Sequence, residues 1–122
     1  MRSLVFASVL ILALSPSVCL AGQADVVDAK AFKGQDGLWR FDVTVRHDDT
    51  GWNHYADRWD VLSPDGDVLA TRVLAHPHVG EQPFTRSLWG VKLPEGLWRV
   101  RLRARDSLHG WGGAEVTLEL EP

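Results

Sequence analysis

Five histidines carry the chemistry this sequence offers: His47, His54, His76, His78 and His109. Neutral imidazole is the commonest protein ligand for Cu(II) and Zn(II), and carboxylates can complete such a shell. Asp48, Asp49, Asp57, Glu81 and Asp106 accompany the histidines along the chain, with Trp52, Tyr55 and Trp111 nearby. His76-Pro77-His78 sets two imidazoles one residue apart. In an extended segment, residues i and i+2 point the same way, so both can reach one ion. Pro77 biases His76 toward that extended geometry. The chain has one cysteine, Cys19, and one methionine, Met1, both in its first stretch. A soft-ligand Cu(I) site therefore has no donors in the rest of the chain.

These residues have plainer readings too. Histidine favours loops anyway, and His-x-His is a weak motif. His47 can cap a strand, and His109 can be a turn residue among glycines. Catalysis has less support still. There is no nucleophile elbow, Cys–His pair, phosphate loop or zinc-protease helix. Asp106, Ser107 and His109 are the residue types of a hydrolytic triad, but they share one tight loop, and a triad converges from separate elements. The expectation is a non-enzymatic protein.

The elements that must position the histidines are short strands. From residue 25 onward, period-two runs alternate with turn signals, the pattern of a sandwich or barrel. A modest strand over 25–33 is followed by the turn Gly34-Gln35-Asp36-Gly37. Trp39, Phe41, Val43 and Val45 then share one face of a clear second strand. A third strand carries Trp59 and Val61 inward and ends at Ser63-Pro64-Asp65-Gly66. Strands over 68–74 and 84–91 follow, and neither declares its buried face. After Leu93-Pro94-Glu95-Gly96, a sixth strand places Trp98, Val100, Leu102 and Ala104 inward and Arg99, Arg101, Arg103 and Arg105 outward. The last strand sets Val116, Leu118 and Leu120 against the core. The fold class is all-β: a seven-stranded antiparallel sandwich of the immunoglobulin or fibronectin type III kind.

Three connections are tight Gly/Pro turns, and three are long. In such a sandwich alternate connections lie at alternate ends. The long loops, 47–57, 75–83 and 106–113, therefore share one pole, and all five histidines fall there. Long loops on a rigid scaffold are where binding sites usually sit. The four-arginine row invites an anion-site reading, but the acidic outer face of the last strand offers a simpler one. A solvated charge ladder pairs Arg101 with Glu119 and Arg105 with Glu115. Trp39, Trp59 and Trp98 are expected in the core, Trp89 is ambiguous, and Trp52 and Trp111 either wall the site or plug the open end.

The first 21 residues read as a secretory signal: Arg2, an apolar run over 4–14, the breaker Ser15-Pro16-Ser17, and small residues ending at Ala21. Cleavage is expected after Ala21, with Ala24 as the second choice. Val18 and Pro16 do not suit lipidation of Cys19, which is read as part of the discarded signal. The remaining 22–122 form a single domain with no cysteine, held together by burial. That part has 12 basic and 16 acidic residues, a formal charge of −4 with neutral histidines, which argues against nucleic-acid binding. The apolar run is shorter than the ~20 residues of a membrane span, so no membrane insertion is expected after cleavage.

Gly51-Trp52-Asn53-His54-Tyr55-Ala56-Asp57-Arg58-Trp59, His76-Pro77-His78, Glu81-Gln82-Pro83-Phe84-Thr85-Arg86 and His109-Gly110-Trp111-Gly112-Gly113 resemble an uncharacterised group of small exported bacterial β-sandwich proteins. The resemblance implies an exported, periplasmic location. It brings no activity and assigns no residue a role.

Together these readings predict a periplasmic or secreted domain that holds copper or zinc, for carriage or delivery. The expected ligands are His54, His76, His78 and His109, with His47 and Asp57 in reserve. The alternative is an interaction module that docks a protein or glycan through Trp52, Tyr55 and Trp111.

Overall fold

The structure is a computed structural model that describes residues 22–121. The expected signal segment, 1–21, lies outside the described residues. Seven strands are present: β1 (Asp25–Lys33), β2 (Trp39–Arg46), β3 (Ala56–Leu62), β4 (Val68–Val73), β5 (Phe84–Val91), β6 (Arg99–Asp106) and β7 (Val116–Glu119). They form two antiparallel sheets, one ordered β1-β2-β5 and the other β4-β3-β6-β7. The fold is thus an all-β, seven-stranded antiparallel sandwich, with the three-plus-four division of strands found in fibronectin type III-like domains. Among the described residues no helix is long and apolar enough to cross a membrane.

Period-two patterning explains the core. On β2, Trp39, Phe41, Val43 and Val45 are buried while the intervening residues are not. On β6, Val100, Leu102 and Ala104 do the same for the second sheet, and Trp59 and Val61 of β3 fill the space between. β-branched and aromatic side chains suit this pleated, half-buried surface. β4 is an edge strand with no fully buried residue, and β5 buries only its ends, Phe84 and Val91. A register shift where β5 meets Trp39 and Phe41 breaks its alternation, which is why its buried face was illegible in sequence.

Two expectations need correction. The β6–β7 ladder is displaced by two residues: Arg99 lies opposite Glu119, and Arg101 opposite Thr117. Arg101 reaches Glu115 instead, at 3.0 Å, and Arg105 pairs with Asp57 of β3 at 2.8 Å. A two-residue slip leaves every side chain on its original face, so hydrophobic patterning cannot tell the two registers apart. Trp98 is the other correction. It is 55% exposed, just outside β6, with the Arg99 guanidinium 4.1 Å from its ring centre. It lines a surface hollow with Trp39, Gly37 and Gly96, where the core has run out at the turn pole.

Candidate metal centre

The buried series on β2 and β6 do not stop with hydrophobic residues. One step of the alternation past Val45 comes His47, and one step past Ala104 comes Asp106. Both are buried, His47 at 2% and Asp106 at 0% exposure. The pleat therefore sends an imidazole and a carboxylate from opposite sheets into the same end of the core.

There His47 Nε2 lies 2.7 Å from Asp106 Oδ2. Two more imidazoles converge on that oxygen, His54 Nε2 at 2.8 Å and His109 Nδ1 at 3.2 Å. The Gly22 carbonyl oxygen faces the same three nitrogens, at 3.1 Å from His47, 3.2 Å from His54 and 2.9 Å from His109. The His47 and His54 rings stand nearly edge-on, 4.8 Å apart, and those of His54 and His109 are 5.0 Å apart. His47 and Asp106 form a sealed floor. His54 is half-buried, and His109 stands exposed at the mouth.

Local structure fixes each donor. Thr50 N donates to the His54 carbonyl and His54 N to that of Gly51, a tight turn that presents the His54 ring. Asp106 Oδ1 accepts from Leu108 N at 2.6 Å and His109 N at 2.7 Å. That turn folds His109 back over the carboxylate and leaves Oδ2 for the imidazoles. His47 Nδ1–H donates to Asp49 Oδ1 at 2.5 Å. Asp49 in turn accepts from Ala56 N and His78 N. A carboxylate behind a ligating imidazole is the usual device for fixing tautomer and ring orientation. Gln82 ties two loops together, accepting from His47 N and donating to the His78 carbonyl.

Charge follows the same plan. Burial works against ionised Asp106, but the His109 and Leu108 amides and the His54 and His109 side chains outweigh it. Its carboxyl is held well below the usual carboxylate range. Burial by itself would depress His47, yet its hydrogen bonds to Asp49 and Asp106 prevail and raise its pKa above 6.5.

His47, His54 and His109 are therefore brought together, and His76 and His78 are placed apart from them. The His78 ring is buried, stacked 4.0 Å from Phe84, with Nε2 accepting from Arg86 at 2.7 Å. His76 is exposed, its ring 4.6 Å from that of His78. Asp57 faces Arg105. Trp111 lies between two arginines, 3.7 Å from the Arg103 guanidinium and 5.1 Å from that of Arg58. Trp52 is exposed and meets Tyr55 edge-to-face.

Sequence reasoning noted Asp49 only as company for the histidines, weighed Asp106 as such and as the acid of a discounted triad, and did not single out Gln82 or Gly22. The signal for Asp106 was its parity: a carboxylate at the next inward position of β6 has to find buried partners.

His78 makes a pH prediction. Burial, then the nearby Arg86 and His76 charges, lower its pKa below 6.5. The unfolded chain thus binds this proton more readily than the fold does. The stability held by neutral His78 is present above the unfolded pKa of about 6.5 and is lost as pH falls through the depressed folded value. In urea unfolding between about pH 7.5 and 5.5, His78→Gln should remove that part of the slope. An unchanged slope would mean that His78 does not titrate differently on folding.

The class defined by fold and site is thus a β-sandwich with three imidazoles and a carboxylate converging at one pole. Comparison with known proteins adds one relative. The chain is 39% identical over 99 residues to a protein named "Putative lipoprotein" from Halomicrobium mukohataei, a match covering 81% of this chain and 48% of that protein. The chain spans about half the length of this relative, and no functional assignment follows from it. No protein-family profile and no solved structure matches the chain.

Proposed function

We infer that this is an exported, envelope-associated protein that binds copper or zinc through His47, His54, His109 and Asp106. The relative's name supports the location. One observation carries the metal: three imidazole nitrogens each lie within 3.2 Å of the same two oxygens. Each nitrogen bears at most one hydrogen, so six such contacts share at most three. A cation there would satisfy His47 Nε2, His54 Nε2 and Asp106 Oδ2 at once, with the Gly22 carbonyl and His109 Nδ1 beside them. Ligands ~2.1 Å from one ion stand about 3.0–3.4 Å apart, and the nitrogen–oxygen spacings here are 2.7–3.2 Å. Among the described residues, His47, His54 and Asp106 offer ligand atoms that all lie within 4.8 Å of one another.

The donor set, nitrogen-rich with one carboxylate, suits Cu(II) and Zn(II) over Mg(II) or Ca(II). The exposed His109 side gives the ion a way in and out, which fits carriage or delivery.

The test is thermal unfolding of untagged, chelator-treated protein at about pH 7.5. A hundredfold excess of Cu(II) or Zn(II) over Kd stabilises by about 2.7 kcal/mol, a Tm rise of roughly 10 °C or more for a domain of this size. Affinity should fall as pH drops, because protons compete for His47, whose pKa lies above 6.5. No Tm shift with either metal would overturn the reading.

A further inference from the structure

We propose that Gly22 is itself a ligand of this centre, and that cleavage of the Ala21–Gly22 bond completes the site by freeing the Gly22 amine. The proposal rests on the metal-binding reading above and extends its donor set. Its first support is the Gly22 carbonyl, which points into the cluster at 2.9–3.2 Å from all three imidazole nitrogens. The nitrogens that surround it also surround Asp106 Oδ2, so two oxygen acceptors share one set of three imidazole nitrogens. Positive charge beside two such oxygens stabilises both.

The carbonyl is held there by a built strap. Gly22 has φ +92°, a backbone conformation that favours glycine, and a Cβ on it would press on the exposed His109 ring, 2.6 Å from Cε1. Ala24 is 1% exposed and belongs to the core. Val26 N donates to the Ala114 carbonyl, and Ala114 N donates to Asp25 Oδ1 at 2.7 Å. Gly113 has no room for a side chain because the Ala24 carbonyl lies against it. The strap also separates the two expected cleavage positions. Cutting after Ala24 would discard a core residue and the carbonyl together, whereas cutting after Ala21 keeps both.

The chemistry is hydrolysis of one peptide bond. Water adds across the Ala21–Gly22 amide, the C–N bond breaks, and the new carboxylate leaves with the leader. The nitrogen stays on Gly22 as an amine. Before cleavage its lone pair is delocalised into the amide, so it cannot coordinate a metal unless the amide proton is also lost. Afterwards it is an amine of pKa about 7.7–8.0, which gives its proton to solvent on coordination. Amine nitrogen, Cα, carbonyl carbon, carbonyl oxygen and the ion then close a five-membered chelate ring. The unprocessed chain lacks this arm, so full affinity arises only after export.

The test uses the exported, processed protein. Intact mass should place its first residue at Gly22. The protein is then loaded with Cu(II) alone, made once with ordinary glycine and once with glycine carrying the heavy nitrogen isotope. The two nitrogen isotopes differ in nuclear spin, so a glycine amine on copper changes the superhyperfine pattern in electron paramagnetic resonance. That change is the expected result. A first residue at a lipid-bearing Cys19 or at Asp25 would overturn the proposal, and so would superimposable spectra. Copper bound with superimposable spectra leaves the imidazole site standing. If neither Cu(II) nor Zn(II) binds, the parent reading fails as well.

Discussion

Asp106→Ala should lower folding stability by about 3–5 kcal/mol and abolish metal binding together. The carboxylate is fully buried and serves five partners: the amides of Leu108 and His109 and the imidazoles of His47, His54 and His109. Removing it leaves His47 with the raised pKa of a group that expects two carboxylates and finds one. It also strands two backbone N–H groups in the 106–110 turn. A loss of this size corresponds to a Tm drop of roughly 12 °C or more. Asp106→Asn keeps the shape and the Oδ1 acceptor, so it should lose less stability. Its amide replaces a charged ligand oxygen, so metal affinity should still collapse. Calorimetric melting and metal titration of both variants separate the two effects. An alanine variant melting at the wild-type temperature would show that Asp106 holds nothing together.

His54→Ala and His109→Ala should do the opposite, sparing the fold and emptying the site. His54 is half-buried and His109 exposed, neither belongs to the hydrophobic core, and each ring bonds to Asp106 and the Gly22 carbonyl. Stability should therefore change by about 1 kcal/mol or less. Metal affinity should fall more than tenfold for each, since removing a direct ligand exceeds the ~10–100-fold effect of losing an outer support. His76→Ala is the control. That residue lies outside the cluster, and among the described residues its ring bonds to the neighbouring Pro77 carbonyl, 3.0 Å away. Isothermal titration with Zn(II) reads all three. Equal losses from His76→Ala and His54→Ala would place the ion between loops 47–57 and 75–83.

The strands were legible because their signals are local. Trp39-x-Phe41-x-Val43-x-Val45 alternates cleanly, and glycine and proline mark the turns between runs. The pairing of β6 with β7 was legible too, since two apolar faces must meet. Its register was not, because a slip of two residues preserves every face. Trp98 was misplaced for a related reason: parity says which side a residue points to, not whether the partner sheet extends far enough to cover it.

The site divides the same way. Alternation of loop lengths in sequence put the histidines at one pole, and composition made borderline metals the natural partners. Which histidines meet was a matter of tertiary structure. His76 and His78 look paired along the chain, but His78 is sealed between Phe84 and Arg86. His47, His54 and His109 look scattered, and a single carboxylate gathers them from 52 to 59 residues away, or three residues in the case of His109. Gly22 carried no sequence signal for this role, because a backbone carbonyl is present at every position. Its part follows from where the strap over β1 sets it down. Local chemistry can be read from residue types and periods, whereas convergence depends on the stacking of two sheets and on the few ångströms by which their loops approach.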